Sequence, residues 1–276
     1  VMIVKPIERK AARRICELHP HAKSLPNSSK YYFAAYIDGK MAGLAVWGWG
    51  IVPRKTPGAL FGDAGKFEDY LELSRFFVCD WTPKNSASRF LSFTHRILKK
   101  HTRIKYLYTY AAGFQGLIGT IYQAANYEYI GPKLCRLVYV PNAGLVHPVA
   151  LWHRYSISKE SERLSIFGDA KKWCGLNFAY IYWLRGKQQL MPHARFKVCK
   201  YPTKADLKIW TEDEHGRKER MTPEFAKTIE LLSLKTNRKS KKDMRSSDSR
   251  TCATSAGVAV QLRPDRSNII AGVYPA

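Results

Sequence analysis

Acidic residues are scarce in this chain, which has 22 Asp and Glu against 46 Lys and Arg over 276 residues, and a formal net charge of +24 at pH 7. That charge is larger than solubility requires and favours a polyanionic partner, above all nucleic acid. The chain has no apolar run near the roughly 18 residues of a membrane-spanning helix, and no signal peptide opens it. We therefore expect a cytoplasmic protein that does not bind membranes.

Paired thiols and complete sets of metal ligands are also missing. The six cysteines are scattered and include no CxxC pair, which argues against a disulfide scaffold or a zinc site and favours reduced, structural thiols. His19 and His21 are close together, but residues 19–26 contain no carboxylate or cysteine to complete a ligand set. We expect no bound metal, and a surface or substrate-facing loop at these histidines.

A strand, helix and strand pattern occupies residues 69–131. Residues 75–78 are mostly aromatic or β-branched, as a buried strand requires, and Pro83 with Asn85 marks the turn that follows. Apolar residues recur at helical spacing from near Ser86, and a Tyr-rich strand, a short helix and a last strand complete the unit. The pattern predicts a βαβ core whose polar loop points at a helix N-terminus.

The first 68 residues predict three simpler features. Apolar positions at helical spacing predict an amphipathic helix over residues 5–18. Two apolar runs around Asp38 and Gly39 predict a β-hairpin over residues 31–50, because both turn residues tolerate positive φ. Residues 51–68 are rich in Pro and Gly, and we expect a surface loop across the site there.

The order of these elements resembles the GNAT acyltransferase fold over roughly residues 1–140. The resemblance implies an α/β fold with a mixed, mostly antiparallel sheet flanked by helices, a bulged fourth strand that offers amides to an acyl donor, and a helix N-terminus that faces phosphate. It places Tyr122 where these enzymes keep the tyrosine that donates a proton to the leaving group. The residues that would contact the donor are Phe77, Val78, Lys84, Asn85, Ser86, Ser88 and Asn126.

Three motifs narrow the resemblance to the Mom family of bacteriophage DNA-modification proteins. They are Glu72-Leu73-Ser74-Arg75, Pro83-Lys84-Asn85-Ser86-Ala87-Ser88-Arg89-Phe90 and Tyr122-Gln123-Ala124-Ala125-Asn126. The resemblance implies transfer of a carbamoylmethyl group to the exocyclic amine of adenine in double-stranded DNA, inside a bacterial host, which protects phage DNA from restriction. It also implies that Arg75, Ser88 and Tyr122 are catalytic.

Two positions depart from the family pattern. Ala112 stands where the family has an aspartate at the end of a strand, and His21-Ala22 stands where His-Tyr is expected. The sequence leaves open whether the two alanines are natural divergence or substitutions that silence a toxic enzyme. His21, Ala22 and Ala112 stay among the candidate catalytic positions.

The chemistry assigns a role to each matched residue. The adenine amine is a weak nucleophile, because its lone pair is delocalised into the ring, so the enzyme must orient it and stabilise an oxyanion. Arg75 would supply charge, Ser88 a hydroxyl and Tyr122 a proton. A flipped adenine implies a pocket near Arg75 and Tyr122. The structural alternatives are an ion pair of Arg75 with Glu72 or Asp80, a first-turn role for Ser88 and a core position for Tyr122.

The acyl donor has two candidates. GNAT turns that bind acetyl-CoA usually contain glycine, because the backbone must approach the pyrophosphate closely. Residues 83–88 contain none. An aminoacyl-tRNA, glycyl-tRNA, is therefore a candidate beside acetyl-CoA, and a transferred glycyl group that rearranges would give carbamoylmethyl. The positive charge would then serve both DNA and tRNA.

The second half of the chain predicts nucleic-acid contacts. A catalytic domain over residues 1–204 includes an extension, from about residue 141, that mixes aromatic and basic residues suited to stacking on bases and holding phosphates. Alternatively, Phe178, Tyr180 and Tyr182 form one face of a strand.

The last part of the chain predicts less order. A short helical segment is expected over residues 205–234, where Thr222-Pro223 can start a helix. Residues 235–276 are predicted to be a basic, disordered tail.

Three functions are consistent with these features. A DNA adenine modifier is the leading hypothesis. Its rival is a catalytically silent nucleic-acid-binding module of the same fold, which Ala22 and Ala112 favour. A conventional acetyltransferase is the third, disfavoured by the turn without glycine and by the charge.

The two alanines can be tested together with the variant Ala112→Asp/Ala22→Tyr. If they silence the enzyme, the double variant should produce a mass-shifted adenine nucleoside in DNA that the unchanged chain does not produce. Mass analysis of digested DNA measures this. A variant that stays inactive under conditions that support an active family member contradicts the silencing hypothesis.

Overall fold

One mixed β-sheet organises the protein. The computed structural model describes residues 1–19, 24–140, 144–146, 148, 172–212 and 218–220. The strands are β1 (Met2–Pro6), β2 (Ser29–Ile37), β3 (Lys40–Gly48), β4 (Tyr70–Val78), β5 (Tyr106–Ala111), β6 (Glu128–Val140), β7 (Gly144–Val146), β8 (Lys172–Trp183), β9 (Ile209–Glu212) and β10 (Lys218–Arg220). The helices are α1 (Arg9–Leu18), α2 (Lys55–Phe61), α3 (Ser86–His101), α4 (Thr120–Ala124) and α5 (Lys187–Leu190).

The strands follow the order β1-β2-β3-β4-β5-β8-β6-β7, with β9 beside β8 and β10 beside β9. Neighbours are antiparallel except β4 and β5, which are parallel. Successive residues of a strand point to opposite faces, so Val46 packs in the α1 cluster while Trp47 packs in the α3 cluster. The predicted α/β fold, with a mostly antiparallel sheet flanked by helices, is confirmed.

The hairpin and the βαβ unit form as predicted. Asp38 and Gly39 both have positive φ, at 49° and 79°, and join β2 directly to β3. α3 begins at Ser86, after a turn in which Asn85 adopts the left-handed conformation with φ of 67°. Short-range turn chemistry therefore located both connections correctly.

The N-terminal helix is shorter than predicted, because a strand precedes it. β1 pairs with β2 as far as Pro6, and α1 follows with Ala12 and Cys16 as its buried residues. Ala11, which helical spacing assigned to the apolar face, is exposed. The prediction of a helix over 5–18 is wrong in its first residues, because pairing with a distant strand gives no signal in local spacing.

Residues 51–68 are not the surface loop that was predicted. α2 and two 3-10 turns occupy most of this range, and Leu60 and Phe61 are buried under the sheet, where Phe61 meets Tyr106 edge-on. Pro57 concealed the helix in the sequence, although proline is tolerated in a first helical turn. The tip before α2 and residues 65–66 remain loops.

β8 lies at the centre of the sheet, between β5 and β6. Phe178, Tyr180 and Tyr182 pack together on the α3 side, as the alternative interpretation held, and Trp173 is buried in a separate cluster. Phe178 and Tyr180 support the core, so the interpretation of this stretch as a base-stacking extension is wrong for them.

The region after β8 contains strands where a helical segment was predicted. β9 pairs with the first four residues of β8, and β10 pairs with β9. The prediction of a helical segment over 205–234 is therefore wrong for its described part. The expected helix from Thr222, the tail over 235–276 and the aromatic and basic residues of 149–171 lie outside the described residues. Within the described ranges, no helix combines the length and the apolar character of a membrane span.

A buried histidine lies in the core between α3 and the sheet. His95 Nε2 is 2.8 Å from the hydroxyl of Tyr127, and the His95 ring stacks on Tyr182 with centroids 4.2 Å apart. Burial lowers the pKa of His95 from 6.5 to about 3, because a charged ring would lose its hydration there. His95 is therefore neutral in the folded protein at physiological pH.

The free energy of unfolding should fall as the pH drops from 6.5 towards 3, because the unfolded chain binds a proton at His95 that the folded protein excludes. The slope from this group can approach about 1.4 kcal/mol per pH unit. Urea unfolding at several pH values measures it, and His95→Asn should flatten the slope, whereas the exposed His193→Asn should not. Equal slopes for His95→Asn and the unchanged protein would contradict the assignment.

Candidate functional site

β4 and β5 pair only at their first three residues and then separate, which leaves a gap. Their parallel pairing covers only Tyr70–Glu72 opposite Tyr106–Tyr108. Beyond it, β4 stays paired with β3 as far as Val78, and β5 stays paired with β8 as far as Ala111. Among the described residues no strand fills the gap, so backbone groups on this edge of β4 can hydrogen bond an extended acyl donor.

A bulge at Ser74 lies at the start of this gap. Leu73 pairs with Trp47 and Arg75 pairs with Val46, so Ser74 has no residue of β3 opposite it. The extra residue reverses the alternation of faces: Leu73 belongs to the α3-side core, whereas Arg75 lies on the α1 side, close to Cys16. The bulged fourth strand that the family resemblance implied is present.

Arg75 ties the bulge to the segment after α1. Its Nε donates to the Ser24 carbonyl at 3.0 Å, and its guanidinium also donates to the Ser74 carbonyl at 2.7 Å. Burial lowers the pKa of Arg75 from its usual value, but a guanidinium keeps its charge in proteins. Arg75 therefore braces the backbone of the bulge and brings a positive charge to the α1 side of the gap.

Glu72 is the candidate that sequence reasoning missed. It pairs with Gly48 and Arg75 pairs with Val46, two positions on one face of β3, so both side chains lie on the α1 side. Burial raises the pKa of Glu72 to about 7, in the range of a general base. A signal existed, because Glu72 is the one carboxylate of β4 and part of a family motif. It was interpreted only as an ion-pair partner of Arg75.

The backbone of Gly50 and two tyrosines enclose the Glu72 carboxyl group. A Cβ at Gly50 would overlap the carboxylate, so the chain that leaves β3 passes directly beside it. Tyr108 donates a hydrogen bond to the hydroxyl of Tyr110 at 2.8 Å. Burial raises the pKa of Tyr110 to about 12, and the charge of Glu72 adds to that rise. This side of the gap therefore holds a base, a guanidinium and protonated phenols.

The N-terminus of α3 follows β4 and carries the predicted donor-binding turn. Lys84 and Asn85 are exposed and Ser86 is buried. The Ser88 hydroxyl donates to the Asn85 carbonyl at 3.1 Å, which is the first-turn role considered for it. No side chain caps this helix and its first turn contains no acidic residue, so its free N–H groups and its dipole favour an anion.

Tyr122 and Val78 lie on the opposite, α3 side of the sheet. Tyr122 is buried among core aromatics, with its ring 5.5 Å from that of Tyr127, and Val78 packs against the same core. Burial raises the pKa of Tyr122, an effect that the Thr109 hydroxyl partly offsets. Tyr122 and Arg75 are thus on opposite faces of the sheet, and in the described sheet the gap between β4 and β5 joins the two sides.

The other predicted site residues are dispersed. Phe77 is on the α1 side, where its ring stacks on His19 with centroids 3.7 Å apart. Asn126 ends α4 in the left-handed conformation with φ of 61°, exposed to solvent. Ala112 follows β5 directly, half-buried, at the open end of the gap. His21 and Ala22 lie outside the described residues.

The part of the chain that the structure describes was compared with the ligand sets that metals need. In the described ranges, no group of three or more His, Cys, Asp or Glu side chains could hold a metal ion. Among the described cysteines, residues 16, 79, 135, 174 and 199 form no disulfide.

The sequence of the chain matches a known family over most of its length. A sequence model of the Mom protein family matches residues 1–203. The chain belongs to the Mom protein family. This Mom chain is 24% identical over 121 residues to methylcarbamoylase mom of Escherichia phage Mu, a match that covers 44% of the chain. It spans about half of that curated relative, 49% of its length.

Solved structures with a similar arrangement are acetyltransferases. The ribosomal-protein-S18-alanine N-acetyltransferase from Escherichia coli aligns with the Mom chain at 12% identity over 67% of this chain and 95% of its own, with a TM-score of 0.39. Arabidopsis thaliana NAA60, in complex with acetyl-CoA, aligns at 9% identity over 66% and 98%, with a TM-score of 0.41. The fold assignment rests on the strand order, the bulge and the Mom family match.

Glu72→Gln should stabilise this Mom chain at pH 8. The folded-state pKa of Glu72 is raised from 4.5 to about 7, so the stability that protonation provides is lost as pH rises through this window. Gln removes the buried charge, so the urea midpoint of Glu72→Gln should exceed that of the unchanged protein at pH 8 and approach it near pH 5. The exposed Glu68→Gln serves as control, and equal midpoints at pH 8 would contradict the raised pKa.

Proposed function

We propose that this chain modifies the exocyclic amine of adenine in double-stranded DNA with an acyl-derived group of the carbamoylmethyl type, and so protects phage DNA from restriction. The observation that carries the proposal is the position of Glu72, a carboxyl group with a pKa of about 7 where β4 and β5 part. Acyl transfer to an amine needs a base beside the nucleophile and a channel for the donor. Membership of the Mom family supports the substrate class.

Glu72 acts as the general base on the α1 side of the gap. It takes the proton from adenine N6 while the bond between N6 and the acyl carbon forms. A carboxylate with a pKa near neutrality is a better proton acceptor than an ordinary one and is still substantially ionised at pH 7. The charge of Arg75 on the same side favours the developing oxyanion.

Tyr122 acts as the general acid on the α3 side. As the acyl carbon is released from the donor, the bond to sulfur or oxygen breaks and the phenol donates its proton to that atom. Its raised pKa keeps Tyr122 protonated until this step. Base and acid on opposite faces are compatible, because they act on different atoms: Glu72 on adenine N6 and Tyr122 on the sulfur or oxygen that leaves.

Either of two donors fits the turn before α3, with different products. A glycyl group from glycyl-tRNA contains the atoms that rearrange to carbamoylmethyl, whereas acetyl-CoA would leave an acetyl group on the amine. The uncapped first turn can receive the pyrophosphate of acetyl-CoA or a phosphate near the 3′ end of glycyl-tRNA. Asn85 adopts the left-handed conformation that glycine supplies in other phosphate-binding turns. The lack of glycine in this turn therefore does not decide between the donors.

DNA approaches from the α1 side, where the base lies. The solvent-facing surface of α1 carries Lys10, Arg13 and Arg14. Basic side chains on one helix can hold several phosphates of a duplex. This arrangement keeps the acceptor on one face and leaves the turn before α3 to the donor.

The competing function is a nucleic-acid-binding module without catalysis, which Ala112 favours. Glu72 weakens that alternative, because it supplies a carboxylate of suitable pKa that does not depend on position 112. Acyl transfer to a protein or a small molecule is the remaining alternative, and the net charge of +24 disfavours it.

The proposal predicts a mass-shifted adenine nucleoside when the chain is incubated with duplex DNA and one donor. Separate reactions contain charged glycyl-tRNA or acetyl-CoA, and digested DNA is analysed by mass. If product forms only with acetyl-CoA, glycyl-tRNA is excluded as the donor. If product forms only with glycyl-tRNA, acetyl-CoA is excluded as the donor. Absence of product with both, for the chain and for Ala112→Asp/Ala22→Tyr, contradicts the proposed function.

Glu72→Gln should lower the rate of modification by about 10²-fold or more, with unchanged affinity for DNA. The rate of the unchanged protein should rise through pH 7 as Glu72 ionises. Single-turnover rates between pH 5.5 and about 8.5, compared with Glu68→Gln, measure both effects. A Glu72→Gln rate within about threefold of the control would remove Glu72 from the mechanism.

A further inference from the structure

Two adjacent aliphatic side chains project from the tip of the loop between β3 and α2. Ile51 is 67% exposed and Val52 is 51% exposed. Single exposed apolar residues are ordinary on protein surfaces. Two adjacent exposed β-branched residues beside a half-buried carboxylate form a small apolar surface that a ligand can cover.

The tip is held in place at both ends. The Val52 carbonyl accepts hydrogen bonds from the Lys55 amide at 3.0 Å and from the Thr56 hydroxyl at 3.2 Å. The hydroxyl of Tyr70, a fully buried residue, lies 2.5 Å from the Trp49 carbonyl and 3.2 Å from the Pro53 carbonyl. The loop is therefore anchored to the sheet below, and the two aliphatic side chains project from a fixed support.

The Glu72 carboxylate lies directly beside Gly50, the residue at which this loop tip begins. Gly50 precedes Ile51, has φ of +69°, and leaves no room for a Cβ because the Glu72 carboxylate occupies that space. Ile51 and Val52 therefore come directly after Gly50, the residue that contacts Glu72, the proposed general base.

Basic side chains flank the aliphatic pair. Arg54 and Lys55 follow it and are exposed. On the neighbouring strand β2, Lys30 places its Nζ 4.7 Å from the centre of the Trp49 ring. Apolar side chains that enter a base stack, with cations at the adjacent phosphates, are how proteins open or kink a duplex. A protein partner would be better matched by a wider apolar surface than two side chains.

We infer that Ile51 and Val52 form a wedge that enters the base stack of double-stranded DNA and holds the target adenine outside the duplex, beside Glu72, while Arg54 and Lys55 bind the flanking phosphates. This rests on the proposed function, because an enzyme that acts on adenine N6 must reach a base buried in the stack. Flipping a base costs its stacking and pairing energy. A wedge offsets part of that cost, because it fills the space the base has left.

The inference is tested with 2-aminopurine, an adenine analogue whose fluorescence rises when it leaves the stack. The probe replaces one adenine in a pool of duplexes with randomised flanking bases, placed opposite thymine or opposite an abasic site. The unchanged chain, Ile51→Ser/Val52→Ser and the control Leu134→Ser are compared at saturating protein. Leu134 is a matched control, because it is 61% exposed and lies on β6, away from the loop. Circular dichroism confirms that each variant is folded.

The unchanged chain and Leu134→Ser should raise the fluorescence of the thymine-paired probe several-fold. Ile51→Ser/Val52→Ser should still bind this duplex but lose most of the rise, and should keep the rise with the abasic-opposed probe, where little pairing must be broken. An equal rise for all three proteins, or an equal loss with both probes, overturns the wedge. Binding by the unchanged chain without any rise also overturns it and leaves DNA binding intact.

A failure of the proposed function has a different signature. If the unchanged chain binds neither duplex, DNA is not its substrate, and the wedge falls with the proposal. The phosphate contacts have a separate measurement: Arg54→Gln/Lys55→Gln should weaken binding to both duplexes alike and make the dependence of affinity on salt shallower by about two phosphate contacts. An unchanged salt dependence would remove Arg54 and Lys55 from the interface.

Discussion

The parting of β4 and β5 is the constraint on which the site depends. The other edges of these two strands are hydrogen bonded, because β4 pairs with β3 and β5 pairs with β8. The bulge at Ser74 occurs where the parallel pairing stops, and it turns Arg75 to the side of Glu72. Without that extra residue, Arg75 would point into the apolar core on the α3 side, where an unpaired guanidinium is costly. The pairing of the strands therefore determines which charged groups lie together in the site.

The sequence predicted the parts of this arrangement that depend on neighbouring residues. The Asp38-Gly39 turn, the start of α3 at Ser86 and the short helix that carries Tyr122 each have a local signature, and each was located correctly. The family resemblance supplied the bulged strand, which local pattern alone does not show. β1 and the position of β8 could not be predicted, because both depend on pairing with strands distant in the chain.

The sequence identified several residues of the candidate site, but it did not predict how they are arranged. Arg75 and Tyr122 were expected in one pocket, but a one-residue bulge determines which face of the sheet Arg75 occupies. Neither composition nor spacing in the sequence shows where such a bulge reverses the alternation of faces. Glu72 was visible in a family motif, yet only its burial shows that its pKa is unusual. An ionisable group becomes a candidate base through its surroundings, which the fold alone provides.

The central place of β8 has a consequence for how the protein is made. The edge of β5 that faces away from the gap is covered by a strand that begins at Lys172, more than 60 residues after β5 ends. During synthesis, β4, α3 and β5 leave the ribosome well before the strand that completes their sheet, and pairing this distant in sequence is slow to form. The growing chain therefore carries an uncovered apolar edge for much of its translation. Assembly of the site must be one of the last events of folding, so a prematurely terminated chain lacking β8 would be both inactive and prone to aggregate.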